Sequence, residues 1–187
     1  LQKTDIEVVE LLQSSNRTRK VAQLIERCLA SLADPSNITR FINAFEAFKQ
    51  FDEDRTAEDT KFAAILTKIR KVRQLEDLIY PQVINEEENP DTDSLLSCKS
   101  LKTFLASMRR WHAAAPLPID QLILVIGSDL FTKPQDLALT HKLSLMLEAL
   151  ARSHPEYRLA QFIAELAEIS RNERKFQGFG DDDTGFN

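Results

Sequence analysis

Apolar residues recur along this chain at intervals of three and four, the spacing of one face of a helix. Val21, Leu24, Ile25, Cys28, Leu29 and Leu32 fall on such a stripe and predict a helix from about Arg17 to Ala33. A shorter helix, capped by Thr4 or Asp5, is predicted before it, to about Gln13. Pro35 stops the second helix, and Ser36 or Asn37 can cap a third, whose stripe is Phe41, Ile42, Phe45, Phe48 and Phe51. Thr56 with Asp59 resembles a capping box and opens a long helix with Phe62, Ile65, Leu66, Ile69 and Val72 on its apolar face. The stretch from 81 to 94, PQVINEEENPDTDS, is acidic with two prolines and reads as a loop. Leu101, Phe104, Leu105, Met108 and Trp111 then mark a further helix that ends before Pro116.

The stretch LPIDQLILVIGSDLFTKPQDLALTHKLSLMLEAL, 117–150, carries more branched apolar residues than a surface connection needs. Gln121 to Gly127 is rich in β-branched residues, but a strand needs a partner, and no second strand-like run exists. Pro118 suits a first helical turn, with Asp120 favourable beside the N-terminal dipole. Pro118 to Leu130 is therefore expected to be a helix apolar on most sides, a buried central one. Thr132 is expected to cap the next helix with Pro134 just inside it, and Pro155 repeats that arrangement at the last helix. The expected fold is all-α, a single domain of roughly eight helices in an irregular, orthogonal bundle over residues 1–177. Residues 178–187 form an acidic, glycine-bearing tail.

Composition narrows the chemistry. Of four glycines, Gly127 stands alone and the others, Gly178, Gly180 and Gly185, are in the tail, so no glycine-rich loop is present to cradle a phosphate. At 187 residues with net charge −5, the chain suits one soluble domain that is not a basic polyanion-binding module, and any nucleic-acid contact must come from local patches. Leu122 to Ile126 is far too short an apolar run to span a membrane. Cys28 and Cys98 lack metal-ligand spacing, which fits a reducing, cytoplasmic setting. The start on Leu1 suggests a piece of a longer protein.

No nucleophile elbow, Walker-type loop or paired-histidine motif appears. His112, His141 and His154 fall on separate helices or helix starts and read as surface or cap histidines rather than metal ligands. DEDRTAED, 52–59, faintly resembles a calcium loop, but Ala57 replaces the turn glycine and Ala63 the closing carboxylate. Basic residues are the remaining candidates. KIRKVR places Lys68 and Lys71 on one flank of its helix and Arg70 and Arg73 on the other, either framing the core or facing a ligand. Arg109 and Arg110 adjoin Trp111, which would offer an aromatic face for a base if exposed and otherwise completes the apolar stripe. Arg17, Arg19 and Lys20 form another cluster, and Arg171, Arg174 and Lys175 suit the dipole at a helix C-terminus.

The stretch 117–150, together with the ending RNERKFQGFGDDDTGFN, resembles part of a UvrD/Rep-type superfamily 1 DNA helicase, in its cyanobacterial variant. The similarity covers 117–187; residues 1–100 share only helical character. The resemblance implies the helical 2B insertion of the second RecA-like domain. The parent would be an ATP hydrolase using ATP and magnesium to translocate 3′ to 5′ and unwind DNA in repair or replication. Partners so implied are DNA, the motor domains of the same chain and other repair proteins, with no membrane. Family members touch duplex DNA through Gly-x-Gly turns, and residues 1–177 contain none, so the candidates Arg109, Arg110, Trp111, Lys68 and Lys71 rest on local composition alone. No cofactor is expected in this segment itself. The competing expectation is a stand-alone helical interaction or scaffold domain with no nucleic-acid role.

Overall fold

Asn37 shows how the first turn of this fold is written into the sequence. Its Oδ1 accepts the backbone N–H of Arg40 at 3.1 Å, while its Nδ2 donates to Asp34 Oδ2 at 3.0 Å. The side chain thus caps the second helix and braces the turn that ends the first. The computed structural model describes residues 2–51, 62–80, 95 and 97–171, with side chains from residue 16 onward. Among these residues it is all-α, with no strand and eight helices: α1 Gln2–Ala33, α2 Ile38–Phe51, α3 Phe62–Ile69, α4 Leu75–Ile79, α5 Lys99–Ala114, α6 Ile119–Leu130, α7 Pro134–Ser153 and α8 Leu159–Arg171. No helix among them is long and apolar enough to cross a membrane.

Several boundaries differ from the sequence expectation for identifiable reasons. The two helices expected before Pro35 are one, α1, because Ser14, Ser15 and Asn16 lower helix propensity only by tenths of a kcal/mol each and neither proline nor glycine intervenes. The calcium-like stretch, the Thr56 capping box and the 178–187 tail lie outside the described residues. The helix expected to run through Val72 stops at Ile69, where Lys71 N and Val72 N turn back onto Lys68 O and Ile69 O at 3.0 and 3.1 Å. The short α4 went unanticipated. Lys133, not Thr132, is the N-cap residue of α7, with Pro134 next to it and no side-chain cap. Pro155 lies in a turn, and α8 begins four residues later. Arg158 is its N-cap; its N–H is accepted by Gln161 Oε1 at 2.9 Å, half of a capping box.

The chain divides into two compact units, the boundary crossing α1 between Glu26 and Arg27 and recurring between Leu117 and Pro118. The unit formed by residues 27–117 has an aromatic core. Phe104 of α5 meets Phe41, Phe45 and Phe48 of α2 at centroid distances of 5.4, 5.4 and 5.1 Å, and Trp111 edge-on at 6.0 Å. Such edge and tilted pairs add roughly 0.5–1.5 kcal/mol each to what burial supplies. Phe41, Phe45, Phe104 and Trp111 are fully buried. α4 packs on α5 and α3 on α2.

The unit formed by 1–26 and 118–187 is organised around the hairpin of α6 and α7. Ile123 and Ile126 have no exposure, and Leu122 and Leu130 almost none. The opposite side of α6 is not buried, which corrects the expectation of a helix covered on most sides: Gln121 and Ser128 are exposed, and Leu124 retains 40%. The apolar excess of 117–150 instead supplies one very close helix contact. A Cβ added at Gly127 would lie 2.3 Å from Thr140 Cγ2, so glycine is required there by proximity rather than by backbone conformation.

Two outcomes test this packing. Ile123→Asp or Ile126→Asp strands a carboxylate in the core at a cost of several kcal/mol, and is expected to abolish cooperative thermal unfolding, whereas Gln121→Asp leaves the melt nearly unchanged. Gly127→Ala is expected to lose about 1–3 kcal/mol through overpacking. In a Thr140→Ser background, which removes Cγ2, denaturant unfolding is expected to show a smaller loss, the rest coming from the Cβ and Oγ1 that stand 3.1 and 3.0 Å from the added methyl.

Candidate functional site

Each candidate side chain takes its position from the helix that carries it. Trp111 completes the α5 stripe and has no exposed surface, so it has no face to offer a base; the aromatic cluster has taken it. Arg109, on the half-exposed side of α5, donates from Nε to the carbonyl of Ile79, satisfying a carbonyl at the C-terminal end of α4. Arg110 is exposed and donates from Nη2 to Ser107 Oγ at 3.1 Å. The guanidinium of Arg109 is thus already committed to the fold, and the expected Arg109–Arg110–Trp111 stacking site is not assembled.

The other expected pair, Lys68 and Lys71, does not flank a continuous helix, because α3 ends between them. The sequence from Arg70 to Arg73 is a turn instead. Arg70, Lys71 and Arg73 are all exposed, while Lys68 is half-buried in the last helical turn. Among the described residues none of these three is held in an ion pair. Cations here face the negative end of the α3 dipole, which is favourable on its own. The turn nevertheless presents three unneutralised charges within four residues, the densest such group on the described surface.

His112 is not the plain surface residue that its sequence suggests. It sits one turn beyond Arg109 on α5, on the same face. Its Nδ1 lies 3.0 Å from Tyr80 Oη, and the two rings tilt together with centroids 5.9 Å apart. Its Nε2 is buried and has no hydrogen-bond partner. Burial lowers the His112 pKa from the ordinary 6.5, and the Glu76 carboxylate opposes that shift in part. The other two histidines keep more solvent: His141 is exposed, and His154 stacks on Tyr157 at 4.6 Å with Nδ1 3.3 Å from Glu156 Oε1.

In the other unit, sequence inspection missed the strongest polar contact. Arg17 forks onto Asp136, Nε to Oδ1 at 2.6 Å and Nη2 to Oδ2 at 2.5 Å. The Asp136 side chain is 2% exposed and that of Arg17 30%. Asp136 lies in the first turn of α7, where the helix dipole also favours its charge. Its backbone carbonyl accepts the Thr140 hydroxyl at 2.8 Å. A bidentate pair this enclosed orders structure, and its 119-residue separation leaves no local signal in the sequence. Among the described residues, no group of three or more His, Cys, Asp or Glu is placed to hold a metal ion.

Arg17→Met leaves a buried carboxylate without its partner and is expected to cost roughly 3 kcal/mol, at the low end for breaking a buried pair. Adding Asp136→Asn is expected to recover part of that loss in urea melts. A double-variant cost equal to the sum of the two single-variant costs would mean that the two side chains are not coupled. Comparison with family models, curated proteins and solved structures returns no match to the chain.

Proposed function

We propose that the chain is the helical accessory subdomain of a UvrD/Rep-type DNA helicase, attached to motor domains that bind ATP and magnesium and carry out the hydrolysis. The observation that carries this reading is local. The stretch 117–150, which resembles that family, forms a helical hairpin closed on itself at Gly127 and Thr140 and fastened to α1 by Arg17 and Asp136. A hairpin so held can be inserted into another domain and still fold on its own contacts. The role follows: a rigid arm on the motor that meets duplex DNA or other repair proteins in the cytoplasm.

Its DNA contact, on this reading, is the turn Arg70–Arg73 with Lys68 beside it, not the Arg109–Trp111 segment. The exposed cations Arg70, Lys71 and Arg73, which have no ion-pair partners among the described residues, can neutralise phosphates at little desolvation cost, and such contacts carry no sequence preference. Binding through three or four charges on a net-acidic chain is weak, on the order of 10⁻⁴ M, and falls with salt at a log–log slope of roughly −3. A second reading, a protein-docking domain without a nucleic-acid role, is favoured by the exposed leucines Leu124 of α6 and Leu137 and Leu145 of α7, at 40, 39 and 52%.

Titration of a forked duplex at low salt separates the two. Replacing Arg70, Lys71 and Arg73 together by glutamine is expected to weaken binding at least tenfold and to flatten the salt slope by about three, one per lost phosphate contact. Replacing Arg110 by glutamine is expected to leave affinity within twofold. No binding by the unaltered chain at low salt would favour protein docking.

A further inference from the structure

Arg109 and His112 sit one turn apart on α5, and both grip the end of α4. Arg109 holds the carbonyl of Ile79 and His112 holds the hydroxyl of Tyr80. Leu75, Leu78 and Ile79 are buried on this short helix, which has five residues and little stability of its own. It therefore depends on these two polar grips and on its three apolar side chains. Tyr80 itself keeps 45% of its surface, so its hydroxyl can turn to water when released.

A neutral imidazole suits this setting. With the proton on Nδ1, donation to Tyr80 Oη leaves at Nε2 a bare lone pair, which is cheaper to bury than an N–H. The cation differs. It carries N–H groups at both nitrogens, and the one at Nε2 has no acceptor. The charged groups on the elements packed against α5 offer limited relief. Glu76 of α4 attracts the cation but is outweighed by burial, and Asp77 is exposed. On α2, Arg40 reaches Ala30 O and Asp34, Lys49 lies 4.3 Å over the Phe62 ring, and Glu46 is half-buried. On α3, Lys68 is a cation and adds no acceptor.

We propose that Arg109, His112 and Tyr80 form an acid-sensitive latch, which releases the end of α4 from α5 when His112 takes up a proton. The cation must either leave an N–H unsatisfied or rotate its ring toward water, and rotation breaks the bond to Tyr80. Arg109 then holds the end of α4 alone. The sign follows from linkage. A histidine whose folded pKa is lowered contributes stability that is fully present above the unfolded value of 6.5 and is lost as pH falls below it, until the folded pKa is reached. The latch is closed at neutral pH and opens on acidification.

The test joins proton titration of His112 by NMR to amide hydrogen exchange at Leu78, Ile79 and Tyr80 in the whole chain. His112 is expected to titrate below 6.5. Exchange protection at those amides, corrected for intrinsic rates, is expected to fall by up to about tenfold per pH unit below that value, the limit for one proton. His112→Gln is expected to remove the pH dependence. Tyr80→Phe, which keeps the ring, is expected to lower protection already at neutral pH. A His112 midpoint at or above 6.5 would overturn the latch, as would the same pH dependence in His112→Gln.

Discussion

The contact between Gly127 and Thr140 sets the terms for one half of this molecule. Two helices approach until a single methyl would collide with Thr140 Cγ2, and that approach brings α6 and α7 together along their buried faces. The Thr140 hydroxyl is tied back to Asp136 O, so the threonine cannot easily yield. Asp136 in turn is held by Arg17, which extends the same arrangement onto α1. Packing, a side-chain hydrogen bond and an ion pair therefore form one chain of dependence. Most branched residues of 117–150 serve that arrangement, with Leu117, Leu124, Leu137 and Leu145 left outside it.

The unit of residues 27–117 rests on a different device. Phe104 gathers Phe41, Phe45, Phe48 and Trp111 around itself, and the helices α2 and α5 are fixed by the ring geometry. That arrangement decides what the surface can do. Trp111 faces inward, Arg109 and His112 reach across to α4, and the turn after α3 keeps three exposed cations, Arg70, Lys71 and Arg73, close together. Function on the proposed reading lives in what the aromatic core leaves over.

Periodicity made most helices legible. The stripes of α2 and α5, the helical state of 118–130 and a cap at Ser36 or Asn37 follow from spacing and local chemistry, which short-range physics controls, and the structure places that cap on Asn37. What remained hidden depends on contacts remote in sequence. Nothing around Asp136 announces Arg17, and nothing around Ile79 announces Arg109. Helix ends were misjudged where no strong punctuation exists: Ser14 to Asn16 carry α1 onward, and Arg70 to Arg73 do not continue α3 although their composition permits a helix. Trp111 shows the same limit at the candidate site, since one stripe serves equally for a core or for a binding face until its neighbours are known. The family resemblance over 117–187 brought no contact residue with it, because the glycine turns that carry such contacts in that family are missing from residues 1–177.

The assignment of DNA contact to the turn after α3 is most directly tested by mapping amide chemical shifts of the chain as a forked duplex is added at low salt. The account requires the shifts to concentrate at Lys68–Arg73 and to vanish as salt is raised, with the indole N–H of Trp111 unmoved. Shifts centred on Arg109 to Trp111, or on Leu137 to Leu145, would contradict it.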